Sequence, residues 1–252
     1  MLTSLSRFQA LVCLCVFVST SMIAQAVSMG GVDYNDYAEL LEQYVEDSGV
    51  RYAEWFAAKD DLRALEDVLG QMAAVEVSQL DRLEQKAFYI NLYNAGMLQA
   101  VFDAYPLKSV KNIGFIPFSV FKKEFIKQGA QVLSLDQIEK EILLVEYFDA
   151  RIHFAVNCAS ESCPPLRAEP FVGARLEAQM EAQTVEFANS ERAARLDAKS
   201  GEYAYSSLFD WYSKDFKVAH PGEYLYRYRD VALKLQSDFS WIPYDWALNA
   251  AK

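Results

Sequence analysis

Apolar residues recur every three to four positions along much of the chain, a spacing that predicts amphipathic helices. The pattern places four helices, at residues 34–45, 60–72, 81–105 and 175–188. The third is the longest and ends before Pro106, which cannot continue a helix. Its middle is apolar nearly all round, which indicates a helix buried on most of its faces.

Polar residues at the ends of apolar runs add three more helix predictions. Residues 134–137 have the pattern S-x-x-Q, a capping box, and predict a helix that continues to about Tyr147. Ser207 resembles another capped start, for a helix through Phe216. The spacing of apolar residues predicts a late helix over residues 224–236.

Strands are predicted where helical spacing gives way to short runs of β-branched and aromatic residues. Residues 108–132 are rich in Phe, Ile, Val and Gly and predict short strands and turns, and residues 151–157 predict a single strand. Residues 194–205 alternate around Ser200-Gly201, which predicts a hairpin. Helices in excess of short strands place the fold class as α+β, a helix-rich single domain with a small sheet.

The first segment of the chain differs from the rest because it carries a single charged side chain. Arg7 precedes an uncharged apolar run over residues 8–23, and Ala24-Gln25-Ala26 forms an A-x-A cleavage pattern. We therefore predict a cleaved secretory signal peptide at residues 1–26, one globular domain at residues 27–252, and a periplasmic or secreted protein. The alternative is an uncleaved anchor, although the run is shorter than the ~20 residues that a membrane span needs.

Removal of the signal peptide changes the charge and the cysteine inventory. The remaining chain has 23 basic and 35 acidic residues, a net charge of −12, and keeps Cys158 and Cys163 while it loses Cys13 and Cys15. Nucleic acid and anionic lipid require basic patches, so the acidic balance argues against both partners. No stable membrane span is expected after cleavage, and the expected partner is an unknown small-molecule or peptide-like ligand.

The candidate chemistry lies between Arg151 and Pro165, a stretch that holds both remaining cysteines and one of two histidines. A thiolate is a strong nucleophile, and a neighbouring imidazole can take its proton and later donate one. His153 is the candidate base, with Cys158 or Cys163 as the candidate nucleophile. In a regular strand, however, His153 and Cys158 would point to opposite faces and lie about 16 Å apart, so a direct pair requires a bend or a returning loop.

Two further interpretations of the cysteines stay open. In an oxidising compartment, Cys158 and Cys163 can form a disulfide that fixes the loop. A metal site would have to combine them with His153 and His220, but no C-x-x-C or H-x-x-x-H spacing is present, so neither a metal nor a cofactor is predicted. His220 itself is predicted to be a surface turn residue.

Four polar side chains are candidates for a supporting role. Asn94, on the long helix, is a candidate to orient His153 or polarise a carbonyl group, and Asn91 to bind substrate. The alternative for both is a structural amide that ties the helix to a neighbouring loop. Ser160 and Ser162 are candidate substrate-binding residues, and no G-x-S-x-G motif marks either as a nucleophile. The late aromatic residues are predicted to be core: Phe209, Trp211, Tyr212, Phe216, Trp241, Tyr244 and Trp246.

Five segments, in order along most of the chain, form a recognisable set. They are Phe88-Tyr89-Ile90-Asn91-Leu92-Tyr93-Asn94-Ala95, residues 133–139, residues 151–164 with the pattern R-I-H-F-A-x-x-C-A-S-x-x-C-P, residues 207–212 and residues 243–246. This set resembles the motifs of a bacterial family called domain of unknown function 547, except that Tyr89 stands where the family usually has Trp. The resemblance implies a secreted or periplasmic protein with this same set of His, Cys and Asn, and it implies no activity.

These observations favour an exported thiol-dependent enzyme, an amide or ester hydrolase or an acyl transferase. His153 would be the base, Cys158 or Cys163 the nucleophile, and Asn94 an orienting or polarising group. The alternative is a non-catalytic envelope binding module whose Cys158–Cys163 disulfide holds a recognition loop. A redox or metal role for the two cysteines is a third hypothesis.

Overall fold

The computed structural model describes residues 32–231, 233 and 235–252, so the predicted signal peptide at residues 1–26 lies outside the described residues. The helices are α1 (Asn35–Tyr44), α2 (Tyr52–Ala57), α3 (Lys59–Ala73), α4 (Arg82–Ala104), α5 (Ser119–Lys122), a π-helix (Gln137–Leu143), α6 (Leu144–Tyr147), α7 (Ile152–Ala155), α8 (Leu176–Asn189), α9 (Leu208–Trp211), α10 (Ser213–Phe216) and α11 (Pro221–Leu225). The strands are β1 (Val45–Glu46), β2 (Gly49–Val50), β3 (Ile126–Gln128), β4 (Gln131–Leu133), β5 (Ala194–Leu196), β6 (Tyr203–Ser206) and β7 (Ser240–Ile242). The predicted helix-rich α+β class is confirmed.

Helix α4 lies at the centre of the fold. Most of its side chains between Glu84 and Phe102 are buried, as the all-round apolar pattern predicted. Asp81 caps its first turn by accepting hydrogen bonds from two backbone N–H groups, both at 2.9 Å. Helices α1, α3, α4 and α8 confirm the four helices predicted from apolar spacing, with bounds that differ by one residue at each end. Within the described residues, no helix is long and apolar enough to cross a membrane.

Local signals also place two other elements correctly. The Ser134 N–H donates to Gln137 Oε1 (2.8 Å) and the Gln137 N–H donates to Ser134 Oγ (3.1 Å), so the predicted capping box is present. The helix that follows begins as the π-helix and ends with α6 at Tyr147. The predicted hairpin is confirmed by β5 and β6, which pair antiparallel with Ala194 opposite Tyr205.

The strand predicted over residues 151–157 is wrong, because this segment forms the helical turn α7. Two hydrogen bonds from α4 fix the end of the turn. Asn94 Nδ2 donates to the Ala155 carbonyl oxygen (3.0 Å), and Asn94 Oδ1 accepts from the Asn157 N–H (2.8 Å). The β-branched and aromatic composition of the segment favours a strand, but contacts made only in the tertiary fold hold it as a helical turn.

An ion-pair network holds the start of the same turn. Asp149 accepts from Arg151 Nε (3.0 Å) and from the buried Lys86 Nζ of α4 (2.6 Å). Burial raises the pKa of the Asp149 carboxyl, but hydrogen bonds from Arg151 and Lys86 outweigh burial and lower this pKa from 3.8 to about 2. The turn is thus tied to α4 at both of its ends.

Apolar contacts hold α7 from two directions. Ile152 and Ala155 belong to the larger hydrophobic cluster, which surrounds α4. Phe154 belongs to a second cluster and stacks on Phe187 of α8, with ring centroids 4.8 Å apart. Because neighbouring side chains of the turn pack into different clusters, the backbone that carries His153 between them has little freedom to rotate.

The late helix predicted over residues 224–236 is also wrong. Helix α11 covers only its first two residues, and distant side chains hold the described backbone beyond it. Asn189 Nδ2, for example, donates to the Tyr228 carbonyl oxygen (3.0 Å). Ser207 does not cap α9 as predicted, because its hydroxyl donates to a carbonyl oxygen of β7 (2.8 Å) instead.

The C-terminal tail, residues 243–252, crosses the rest of the domain. Strand β7 leads into it and pairs in parallel with β6. In the tail, the Leu248 N–H donates to the Lys108 carbonyl oxygen (3.0 Å) and the Asn249 N–H donates to the Ala159 carbonyl oxygen (3.1 Å). Backbone hydrogen bonds therefore join the tail to the loop after α4 and to the loop that carries the cysteines.

Candidate active site

A pocket of about 410 Å³ opens beside the helical turn α7. Its walls come from segments between α4 and the C-terminal tail. The lining residues are Tyr93, Phe118, Phe121, Lys122, Asp136, Glu139, Lys140, His153, Val156, Cys158, Cys163, Pro164, Leu208, Trp211, Tyr212, Tyr244 and Trp246. The pocket therefore brings together His153, Cys158 and Cys163, because α7 replaces the extended strand that would have separated them.

Cys158 presents its sulfur to the pocket among polar neighbours. Its Sγ lies 3.0 Å from Ser160 Oγ and 3.4 Å from the Tyr244 hydroxyl oxygen. Burial opposes ionisation, but hydrogen bonds with Cys163, Ser160 and Tyr244 outweigh burial and lower the pKa of this thiol from 9.0 to about 7. A lowered pKa favours the thiolate near neutral pH, as is typical of reactive cysteines.

Cys163 is buried and has the opposite character. Its Sγ accepts a hydrogen bond from the Cys158 N–H at 2.9 Å. Burial, followed by the neighbouring Cys158, raises the pKa of the Cys163 thiol. Within the described part of the chain both cysteines are free thiols, so the pair consists of a thiol that ionises easily and a thiol that stays neutral.

His153 is buried between two carboxylates. Its Nε2 lies 2.9 Å from Asp215 Oδ2, and its Nδ1 lies 3.6 Å from Glu139 Oε1. The ring packs on Tyr212, with centroids 3.9 Å apart, and burial followed by the nearby Glu139 raises the pKa of the Tyr212 hydroxyl. A carboxylate oxygen thus faces each ring nitrogen, and among the described residues no hydrogen bond joins this imidazole to either cysteine sulfur.

The four supporting candidates have different positions. The amide of Asn94 makes two hydrogen bonds with the backbone of the α7 segment, one as donor and one as acceptor. Asn91 does the same with Phe171, where Nδ2 donates to the carbonyl oxygen (2.6 Å) and Oδ1 accepts from the N–H (2.9 Å). Ser162 Oγ accepts from a backbone N–H of the C-terminal tail (2.8 Å). Ser160, in contrast, reaches the reactive sulfur, so it alone among the four contacts a group of the candidate chemistry.

The aromatic residues predicted as core divide into two groups. Phe209 and Phe216 are buried, as predicted. Trp211, Tyr244 and Trp246 instead form what we call the aromatic wall of the pocket, with Tyr244 4.8 Å from Trp211 and 4.5 Å from Trp246 between ring centroids. Trp211 is 49% exposed and Trp241, outside this wall, is 37% exposed, so the core prediction is wrong for both. Tyr212, Tyr244 and Trp246 are half-buried.

Three polar residues of the site were not predicted from the sequence. Glu139 and Asp215 face the ring nitrogens of the histidine, and Tyr244 contacts the reactive sulfur. Glu139 and Tyr244 lie in segments that carry the family resemblance, and that resemblance was the available signal for both. Asp215 lies outside those segments and is one of 35 acidic residues, so nothing in the sequence separated it from the others.

His220 has a structural position rather than that of a simple surface turn. Its Nδ1 accepts from the Gly222 N–H (3.0 Å) at the start of α11, and its Nε2 donates to the Gln236 carbonyl oxygen (3.0 Å). Across residues 32–231, 233 and 235–252, no group of three or more His, Cys, Asp or Glu side chains is arranged to hold a metal ion.

Comparison with known proteins finds one similarity, over the central part of the chain. The family model described as "Protein of unknown function, DUF547" matches residues 77–188. The matched region includes α4, α7 and both cysteines, whereas the aromatic wall and Asp215 lie beyond it. No curated protein and no solved structure matches the chain.

Proposed function

We propose a function from the pocket itself, because the description of the family model that matches residues 77–188 gives no activity. We propose a thiol-dependent amide or ester hydrolase, or acyl transferase, in which Cys158 is the nucleophile. The observation that carries the proposal is that Cys158 lines the pocket and that its Sγ lies within 3.4 Å of two hydroxyl groups. Such neighbours stabilise a thiolate, the form of cysteine that attacks carbonyl carbons.

Cys158 rather than Cys163 is the nucleophile of this proposal. The hydrogen bonds around Cys158 favour its anion, while burial of Cys163 favours the neutral thiol. Cys163 supports its neighbour, since its sulfur accepts the N–H of Cys158 and fixes the orientation of that residue. The sequence left the two cysteines equivalent, and their surroundings separate them.

The role of His153 changes from general base to proton donor. A thiol whose pKa is lowered by its hydrogen bonds has less need of a base in direct contact, and the ring nitrogens of His153 face Glu139 and Asp215 instead. The ring lines the same pocket as Cys158. In this proposal His153 supplies the proton to the leaving group and does not deprotonate Cys158.

The proposed reaction has two halves. The Cys158 thiolate attacks the acyl carbon, the C–S bond forms, and the bond to the amine or alkoxide breaks as the leaving group takes a proton from His153. Water then attacks the thioester carbon, gives its proton back to the imidazole, and the C–S bond breaks to release the acid and the thiolate. In an acyl transferase, an amine or an alcohol takes the place of water.

The pocket also indicates the size of the ligand. A volume of about 410 Å³ lies within the range of sites for small organic molecules or short peptide-like groups. The aromatic wall offers flat surfaces for stacking, and Lys122 and Lys140 lie in the lining. Lys140 is paired with Asp136 (2.7 Å), which leaves Lys122 as the cation more available to a ligand carboxylate.

A second candidate function rests on the contact between the two cysteines. The backbone nitrogen of Cys158 lies 2.9 Å from Cys163 Sγ, so the two residues are neighbours and a disulfide between them is the alternative to a free thiol. A disulfide between them would remove the nucleophile and leave a non-catalytic binding module with a fixed loop. Export of the protein, proposed from residues 1–26, would favour this oxidised form.

Acylation of the purified protein by p-nitrophenyl acetate tests the enzyme proposal. We expect release of nitrophenolate and an acetyl group on Cys158, located by peptide mass spectrometry. Cys158→Ala should abolish both signals, whereas Cys163→Ser, which keeps a polar group in place, should retain the acetyl group on Cys158. Equal release by the wild type and Cys158→Ala would refute the proposal.

Thiol alkylation of the protein as isolated from its native compartment separates the two candidates. A pair that alkylates without prior reduction supports the enzyme, and a fully oxidised pair that resists reduction supports the binding module. The same mass measurement tests export, since cleavage after Ala26 predicts a mature chain that begins at Val27. An amino terminus at Met1 would contradict the signal peptide.

A further inference from the structure

The loop between α4 and α5 displays apolar side chains to solvent. Phe115 is fully exposed, at 108% of its reference area, and Ile116 is 70% exposed. Pro117 follows them and is exposed as well. Three consecutive exposed apolar residues at the tip of a loop are uncommon on a soluble surface and usually mark a surface that binds something.

The loop is an ordered turn that holds these side chains outward. Gly114 has φ +92° and Phe118 has φ +67°, two left-handed positions that reverse the chain. The Ser119 N–H donates to the Ile116 carbonyl oxygen (3.0 Å), and Phe118 packs edge-on against Trp246 with centroids 4.6 Å apart. A left-handed conformation costs free energy for a residue such as Phe118, so the surrounding structure must hold the turn that directs these side chains into solvent.

The sequence around the loop is basic in a chain that is acidic. Residues 106–128 contain five lysines and one glutamate, whereas the whole chain has a net charge of −11. All five side chains are exposed, and among the described residues no carboxylate pairs with any of them. The lysines are Lys108, Lys111, Lys122, Lys123 and Lys127. The whole-chain charge, which argues against anionic partners, therefore does not describe this segment.

We infer that the loop at residues 114–118 docks the protein on an anionic lipid bilayer, with Phe115 and Ile116 inserted among the acyl chains and the lysines at the headgroups. An apolar tip flanked by lysines has the chemistry of an interfacial anchor, in which burial of apolar area and attraction to anionic headgroups act together. The lysine stems can extend along the interface while their ammonium groups remain in water.

The shape of the loop favours a bilayer over a macromolecular partner. The exposed apolar residues form a protruding tip rather than a groove or a flat face, and a fluid bilayer accepts such a tip without a matching cavity. Nucleic acid would be expected to meet arginine and stacked aromatic residues, yet residues 106–128 contain no arginine and Ile116 and Pro117 have no stacking face.

The loop borders the pocket. Phe118, at its end, and Phe121 and Lys122, in α5, are lining residues. Docking through this loop would place the pocket opening at the headgroup level of the membrane, within reach of amphiphilic ligands. The docking itself does not depend on the chemistry of Cys158, so the two proposals can fail separately.

Vesicle sedimentation tests the inference with two lipid compositions. We expect the wild-type protein to pellet with vesicles of phosphatidylcholine and phosphatidylglycerol, to pellet weakly with phosphatidylcholine alone, and to be released by high salt. The double variant Phe115→Ser/Ile116→Ser should weaken binding about tenfold or more. Lys111→Gln/Lys123→Gln should weaken binding to the anionic vesicles and leave the weak binding to phosphatidylcholine unchanged.

Phe148→Ser supplies the matched control, because Phe148 is 78% exposed but lies outside the basic segment. It should bind vesicles as the wild type does, and circular dichroism should show the same fold for every variant. Wild-type protein that stays in the supernatant with both compositions would overturn the inference. Binding that is unchanged by Phe115→Ser/Ile116→Ser, or reduced equally by Phe148→Ser, would overturn it as well.

Discussion

Substitution of Ser160 by alanine removes one of the hydrogen bonds that stabilise the Cys158 thiolate. The hydroxyl oxygen lies 3.0 Å from the sulfur, and Ser160 is only 1% exposed, so water does not readily take its place. A hydrogen bond to an ionised group contributes about 1.5–3 kcal/mol. The variant keeps the backbone of the loop and deletes a single oxygen atom.

The size of the effect follows from the pKa of Cys158. The decrease from 9.0 to about 7 corresponds to about 2.7 kcal/mol of thiolate stabilisation, at 1.36 kcal/mol for each pH unit. Several donors share this amount, so we assign about half of it to Ser160. The pKa of Cys158 should then rise to about 8 in Ser160→Ala, and the ionised fraction at pH 7 should fall from about a half to about a tenth.

The assay is the rate of alkylation of Cys158 by iodoacetamide as a function of pH, followed by peptide mass spectrometry. We expect the midpoint of the profile to move up by about one pH unit and the rate at pH 7 to fall about fivefold. Ser162→Ala is the matched control, because Ser162 Oγ accepts from the backbone of the tail and should leave the midpoint in place. An unchanged midpoint in Ser160→Ala would refute the assigned hydrogen bond.

Three further predictions concern stability, measured as the free energy of unfolding in urea. Asp149→Asn should lower it by about 2 kcal/mol at pH 7. The pKa of Asp149 is about 2 in the folded state and 3.8 in the unfolded state, so this loss of stability should persist above pH 3.8 and disappear as the pH falls towards 2. A loss of stability that does not change with pH would contradict the prediction. Asn94→Ala should lower stability by about 3 kcal/mol, since two buried backbone groups lose their partner, and a wild-type urea midpoint would be evidence against that role. Gly49→Ala should destabilise the fold by about 2 kcal/mol or more, because φ is +140° and the new Cβ would meet the Asn249 carbonyl oxygen. Gly70→Ala, on an open helix surface, should stabilise the fold by about 0.5–1 kcal/mol. The opposite order of stabilities would be inconsistent with this geometry.

Elements with local signals were predictable from the sequence. Ser134 and Gln137 bond to each other, and Asp81 bonds to an N–H three residues later. These caps depend only on neighbouring residues, so the local sequence is enough to predict them. The turn α7 was not predictable, because Asn94 holds it from 61 residues away. The same reason applies to the segment after α11, where Asn189 bonds to a carbonyl oxygen 39 residues later.

The candidate site was predictable in its reactive residues and not in their surroundings. His153, Cys158 and Cys163 are close in sequence, and scarcity alone marked them. The difference between the two thiols depends on Tyr244, which is 86 residues from Cys158, and the environment of the histidine depends on Asp215, 62 residues away. Proximity in sequence therefore indicated which groups could react, while only the fold distinguishes the surroundings of the two thiols.

The path of the C-terminal tail has a consequence for the order in which the site forms during synthesis. Tyr244 and Trp246 belong to the tail, and the tail is held by the backbone of Lys108 and Ala159, which emerge from the ribosome much earlier. Until the chain has been made past Trp246, the pocket lacks one wall and the sulfur of Cys158 lacks the Tyr244 hydroxyl. A nascent chain would thus carry a more weakly acidic thiol in an open cleft, so any activity of this pocket begins only after translation has passed that point.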